Sequence, residues 1–248
     1  YNANKTLNTK WSGGSVTYVP TRTGYTFGGW YTEAACTTQK AGTNGNFTPT
    51  ANITVYAKWT ANTYTVKYNG NGSTGRSTAN SSHTYDVEKA LTSNGFERKY
   101  TVTYNHNYTG SSNTTKTSTY TFDKRSKNAA GTDGSYTNGQ NVTNLTSTNG
   151  ATVNLYAQWT SQAVTYVPTR TGYTFGGWYA EEACTTQKAG TNGSFTPTAN
   201  ITVYAKWTAN TYTVKYNGNG STGGSTANSS HTYDVEKALT SNGFERKY

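Results

Sequence analysis

The sequence predicts a mainly β chain made of small modules in tandem. Three observations carry that prediction. A long stretch recurs almost unchanged, several short segments alternate apolar and polar residues strictly, and Asn-Gly pairs stand between them. Residues 16–100 return as 164–248, differing only at Thr32/Ala180, Ala34/Glu182, Asn46/Ser194 and Arg76/Gly224. Repetition of this kind is the signature of arrays in which each unit buries its core with its neighbours' help. A finer beat lies inside it. "VYAKWTAN" at 55–62 and 203–210 returns as "LYAQWTSQ" at 155–162 and, decayed, as "LNTKWSGG" at 7–14. The marker residues Trp11, Trp59, Trp159 and Trp207 are spaced 48, 100 and 48 apart. The expected units are therefore a closing strand of a preceding degenerate unit at 1–11, a short unit at 12–60, and a long unit at 61–160. The short unit's copy follows at 161–208, and an incomplete copy of the long one at 209–248.

Each element follows from local pattern. In "TRTGYTFGGWY" (21–31) Tyr25 and Phe27 share a strand face. Gly28 and Gly29 break the alternation, as a bulge does, and are expected to aim Trp30 into the core opposite Trp59. "ITVYAKW" puts Ile53, Val55, Ala57 and Trp59 on one face. "TYTVKY" puts Tyr64, Val66 and Tyr68 together, and "KYTVTYN" does the same with Tyr100, Val102 and Tyr104. The stretch 102–122 reads as an inserted hairpin in the long unit. Asn-Gly at 44–45, 69–70, 94–95, 138–139 and 149–150 supplies turns. A short helix at most is expected around 85–93 and 233–241, capped by Asp86 and stopped by Asn94-Gly95, with an extended reading equally open. The expected core is Tyr25, Phe27, Trp30, Val55, Trp59, Val66, Leu155 and Trp159, with the copies Tyr173, Phe175, Trp178, Val203 and Trp207.

Composition sets the outer bounds. Aliphatic residues are scarce, so the 22 Tyr and 6 Trp supply much of the core. Only 13% of residues are charged, yet the net charge is +10. That balance favours anionic partners, of which cell-wall polymers, acidic glycans, nucleic acid and membrane surfaces are the classes, against the plainer reading of a solvated basic surface. The basic residues are scattered singly, so nucleic acid is not expected. No apolar run reaches the roughly 18–20 residues of a membrane span. The chain opens on Tyr1 and contains no Met, and it is expected to be a mature fragment or a slice of something longer.

The pattern "PTRTGYTFGGWY…VYAKWTANTYTVKYNGNG" resembles the Listeria–Bacteroides repeat, the B-repeat type of internalin-like bacterial surface proteins. The hallmarks are the GYTF-x-GW strand, the closing LYA-x-W-T strand and the following YTV-x-aromatic strand, most specific at 20–70 and 168–218. The resemblance implies small β-grasp-like modules strung in tandem on secreted or wall-anchored proteins. The long unit departs from it: "DKRS" at 123–126 stands where GW is expected.

Candidate chemistry is thin. "GNGSTG" at 70–75 matches G-x-G-x-x-G, but no helical pattern follows to hold a pyrophosphate. Cys36 with Gln39, and Cys184 with Gln187, have the i, i+3 spacing of an internal thioester, against the plainer reading of a loop thiol. The two Cys are equivalent positions in separate copies, so a disulfide between them is not expected. The residues assemble no catalytic set, metal motif or cofactor fingerprint, and no enzyme activity is expected. Two functions remain. One is a stalk or filament segment with incomplete modules at both ends, completed by further chain or by strands from another subunit. The other is an adhesive module in which Tyr31, Tyr64, Lys67 and Tyr68 face a carbohydrate or anionic polymer.

Overall fold

The computed structural model describes residues 13–247. All regular elements among them are strands, and none is a helix. In chain order the first are β1 (Val16–Thr17), β2 (Tyr25–Tyr31), β3 (Gln39–Ala41), β4 (Asn46–Phe47), β5 (Tyr56–Ala61), β6 (Thr63–Asn69), β7 (Ser81–Thr84) and β8 (Lys89–Ala90). Next come β9 (Lys99–Asn105), β10 (Thr114–Thr119), β11 (Thr121–Ser126), β12 (Asn141–Val142), β13 (Thr152–Thr160), β14 (Val164–Thr165), β15 (Tyr173–Tyr179) and β16 (Gln187–Ala189). The last are β17 (Ser194–Phe195), β18 (Ile201–Ala209), β19 (Thr211–Val214), β20 (Gly223–Gly224), β21 (Ser229–Thr232) and β22 (Phe244–Glu245). The closing strand expected at 1–11 lies outside the described residues.

The chain forms two compact units, and both are discontinuous. One runs up to Phe96 and resumes over Phe122–Trp159; the other takes Glu97–Thr121 and Thr160–Tyr248. In the first unit, β7-β6-β13-β11 make a four-stranded sheet and β3-β2-β5 a three-stranded one. β6 and β13 run parallel, from Thr65↔Thr152 to Asn69↔Tyr156. Tyr64, Val66, Tyr68, Leu91, Val142 and Leu155 fill the core beneath them. In the second unit a five-stranded sheet has the order β10-β9-β18-β15-β16. Its central pair, β9 and β18, is again parallel, from Val102↔Ile201 to Asn105↔Tyr204. Val102, Tyr104, Val164, Phe175, Trp178, Ala189, Val203 and Ala205 form its core.

The two parallel pairs interleave. A parallel pair needs a long crossover, and here each crossover contains part of the other unit. The hairpin β9–β10 stands within the stretch 61–160, yet it completes the sheet of β15, β16 and β18. Strand pairing thus crosses the boundary that Trp159 marks in the sequence.

The Gly-Gly bulge forms as the pattern predicts. The β2–β5 register shifts between Phe27 and Trp30, and Gly29 has φ 114°. A Cβ there would lie 2.5 Å from the Ala41 carbonyl oxygen. The bulge changes the expected facing: Phe27 pairs with Trp59, and Trp30 lies opposite Ala57. Trp30 instead packs edge-on against Phe27, ring centres 5.4 Å apart, and its Nε1 donates to the Tyr18 carbonyl at 2.8 Å.

Of the two readings of 85–93, the extended one holds, and the same is true of 233–241. Asp86 has φ 59°, which a helix N-cap does not adopt. Its carboxylate accepts from Tyr25 Oη at 2.9 Å and from Asn144 Nδ2 at 2.7 Å. β8 then pairs with β12 and drops Leu91 into the core.

One joint occurs twice. The Asn62 amide donates to the Gly24 carbonyl, and the Tyr85 amide to the Asn62 carbonyl, each at 2.8 Å. Asn210, Gly172 and Tyr233 repeat it at the same distances. Gly24 has φ 77° and lies against the Tyr85 ring, 2.2 Å from where a Cβ would sit. Only glycine fits this approach.

Candidate interaction site

The near-identical copies 13–61 and 161–209 sit in different surroundings, so the chain contains its own comparison. In the second unit, β9 and β10 cover the copy 161–209. Tyr104 lies 4.7 Å from the Trp178 ring, and Tyr166 stacks on Trp178 at 5.8 Å. Polar contacts seal the edge. Thr101 N donates to Asn200 Oδ1 at 2.8 Å, Lys116 Nζ to the Thr165 carbonyl at 2.6 Å, and Tyr120 Oη to the Pro197 carbonyl at 2.9 Å. Asn107, held at φ 59°, donates through Nδ2 to the Ala205 and Glu182 carbonyls at 3.1 and 3.0 Å. Trp207 Nε1 donates to the His106 carbonyl at 2.7 Å.

In the first unit β5 is an edge strand, and no hairpin among the described residues pairs with it as β9 pairs with β18. Val16 is 47% exposed where its copy Val164 is 7% exposed. Trp30, Val55 and Ala57 are half-buried where Trp178, Val203 and Ala205 are buried. Regular strand begins at Tyr56 in this copy and at Ile201 in the other, because residues 53–55 have no parallel partner to hold them extended. Residues 209–247 are open as well. Tyr212 is 52% exposed and Leu239 65%, whereas the equivalent Tyr64 and Leu91 are 2% exposed under β11 and β13. One segment thus carries the later strands of a module without the first two, and the other carries first strands without the later ones.

Both complete modules close with the same bonds. Asn71, at φ 45°, donates to the Ala129 and Ala157 carbonyls at 2.9 and 2.8 Å, as Asn107 does in its own sheet. Trp159 Nε1 donates to the Gly70 carbonyl at 2.9 Å, as Trp207 does to His106. Gly70 therefore belongs to a packed loop: a Cβ on it would meet Ser73 Oγ at 2.0 Å. That packing accounts for the first glycine of "GNGSTG".

"DKRS" has a physical explanation that the sequence did not offer. Arg125 takes the position of Trp178. It is fully buried, with Cζ 4.5 Å from the Tyr68 ring and 5.3 Å from Phe122. A cation over Tyr68 replaces the ring that Trp178 sets against Tyr104. None of the three guanidinium nitrogens has a hydrogen-bond partner among the described residues, and burial pushes the Arg125 pKa down.

The remaining candidate residues are scattered. Tyr31, Tyr64 and Tyr68 are buried, and only Lys67 of that group is exposed. Tyr64 stacks on His83 at 5.6 Å, and Tyr68 Oη bonds Ser81 Oγ at 2.8 Å. Lys58 lies over the Tyr31 ring at 5.1 Å. Cys36 and Cys184 are free thiols. Gln39 Nε2 and Gln187 Nε2 each donate to a strand carbonyl, Ala41 and Ala189, at 3.2 Å. Burial pushes the Cys184 thiol pKa up, with Asn107 as the main opposing influence, so the thiolate is not favoured. Beside each Cys a carboxylate organises the loop. Glu33 accepts from Thr32 Oγ1 and from the amides and hydroxyl of Thr37 and Thr38, which lowers its pKa to about 2. The described residues contain no cluster of three or more metal-ligating side chains and no helix long and apolar enough to cross a membrane.

Comparison with known proteins gives one result. No curated protein and no solved structure matches the chain. A family model described as the Listeria-Bacteroides repeat domain matches residues 2–58 and 121–206, more than half of the sequence. It takes in both GYTF-x-GW strands, the closing strand at Trp159 and also "DKRS", and its two segments end one residue before Trp59 and Trp207. Repeats of this family occur in bacterial surface proteins. The chain belongs to the Listeria-Bacteroides repeat family.

Proposed function

We propose that the chain is a non-catalytic structural segment, a stalk or filament, of a bacterial cell-surface or extracellular protein, in which modules share strands head to tail. The observation that carries this reading is the interleaving. Residues 62–96 are closed by 122–159, and 97–121 by 160–209, so no module is finished by the residues that directly follow it. Such linkage suits an array loaded along its length, because stability then comes from shared interfaces. The duplicated joint at Gly24 and Gly172 serves the same end by holding successive modules in one geometry. The sheet order, with first and last strands parallel at the centre, supports the β-grasp-like reading of the module, here without its helix.

The test is to lengthen the chain by whole copies of residues 13–160 and follow small-angle X-ray scattering. A stalk predicts a maximum dimension that grows in equal steps with each copy. A dimension rising as the cube root of mass would contradict it. A second reading, adhesion to anionic glycans or wall polymers, rests on the +10 net charge. It predicts salt-sensitive retention on a teichoic-acid resin, and passage at low salt would contradict it.

A further inference from the structure

The open face of 13–61 has a recognisable ligand, because the same unit sequence is seen with that face occupied. We propose that it is a docking site for the hairpin β9–β10, residues 97–121, donated by a second copy of this chain. The inference rests on the strand-sharing reading above and names the partner.

The seat is already built. Most groups that hold the hairpin on 161–209 have an identical counterpart on 13–61, and the Gln162 carbonyl that accepts from Ser118 Oγ is matched by the main-chain carbonyl of Gly14. Asn52 stands for Asn200, the Thr17 carbonyl for Thr165, the Pro49 carbonyl for Pro197, and the Ala57 carbonyl for Ala205. Trp59 Nε1, without a hydrogen-bond partner among the described residues, stands ready for the His106 carbonyl. Three of the four substitutions between copies fall in this region, at 32, 34 and 46. Position 34 touches the hairpin at its counterpart only through the Glu182 main-chain carbonyl, which Ala34 also has. The parallel register that sets Val102 beside Ile201 and Tyr104 beside Val203 would set them beside Ile53 and Val55. Tyr104 would then cover Trp30 as it covers Trp178.

One donor hairpin therefore faces two near-identical acceptors in each chain. Moving it from 161–209 of its own chain to 13–61 of another breaks one set of contacts and makes the same set again. Exchange of this kind is a low-cost route to assembly by swapping, and strand addition to a sheet edge supplies the main-chain bonds. A chain that gives its hairpin away exposes 161–209 in turn, so the contact repeats from copy to copy.

A fluorescent peptide of residues 97–121 titrated into the full chain tests the seat. Saturable binding at one peptide per chain is expected, with loss for a peptide carrying Val102→Lys and Tyr104→Lys. Val55→Lys in the full chain should abolish binding while the second unit stays folded. The full chain alone should self-associate as concentration rises, and excess peptide should reverse this. Failure to bind at about 1 mM, where even a contact of ~4 kcal/mol registers, would overturn the proposal. Equal binding of the double-Lys peptide would overturn it too. A peptide that binds to a chain remaining monomeric at every concentration would overturn the second copy as donor. None of these failures touches the stepwise lengthening expected of a stalk, so the two readings fall separately.

Discussion

Replacing Arg125 by Met should make its module more stable. The guanidinium is fully buried, and its nitrogens meet no acceptor among the described residues. Each buried donor without a partner costs about 1–3 kcal/mol, and taking an ion out of water costs several kcal/mol more. The return is the cation–π contact with Tyr68 at 4.5 Å, worth about 2 kcal/mol when desolvated. Methionine keeps an unbranched chain as far as the ε position and packs against aromatic rings. The penalty disappears while most of the packing remains, as when buried ion pairs are replaced by apolar residues for a gain of about 1–4 kcal/mol. Urea unfolding followed at the Trp159 indole by NMR would read the change. With a slope of about 1–3 kcal/mol per molar, the midpoint should rise by roughly 1 M. A midpoint that falls by that amount would mean instead that the guanidinium is held by an acceptor.

Three further outcomes follow from the same geometry. Val203→Ala should cost the second unit about 2–3 kcal/mol, two methyl groups plus the cavity they leave, whereas Val55→Ala should cost less than half as much; equal costs in thermal unfolding would contradict the open face. Gly172→Val should break the joint with Tyr233, whose ring lies 2.3 Å from the new Cβ, and should sharpen the Tyr233 ring signals toward those of a mobile side chain while the Val203 methyls stay unshifted; unchanged Tyr233 signals would contradict it. His83 is buried, stacked on Tyr64 and near Lys89, and burial first, then Lys89, lowers its pKa below 6.5. The unfolded chain then binds the proton more readily, so the first unit should lose stability as pH falls through 6.5, and His83→Gln should flatten that slope; an unchanged slope in the variant would contradict the assignment.

Local structure was legible in this sequence because side-chain period and turn chemistry write it directly. The strand pattern of 25–31, the bulge at Gly28–Gly29 and the hairpin in 102–122 all follow from it. The inward direction of Tyr64 and Tyr68 was legible too: both share a face with Val66, and a core Val66 takes them with it. Pairing was not legible. The first-strand patterns "YTVKYN" at 64–69 and "YTVTYN" at 100–105 are nearly alike, and so are the closing strands at 153–160 and 201–208. Either closer offers the same register to either opener, so the choice rests on loops and on Leu91, Val142 and Tyr136 in the core. Arg125 was illegible for another reason. A cation in place of Trp is read from sequence as surface, and only its seat over Tyr68 shows that it fills the core. The extended course of 85–93 depends on Asp86 meeting Tyr25 and Asn144, partners too distant along the chain for any local rule.

Residues 97–121 complete the sheet of 160–209 and not that of 122–159. Replacing residues 99–119 by a Gly/Ser segment of equal length, and measuring acrylamide quenching of single-Trp versions retaining Trp178 or Trp159, tests this pairing most directly. Trp178 should become as accessible as Trp30 while Trp159 keeps its protection. Loss of protection at Trp159 with Trp178 unchanged would contradict it.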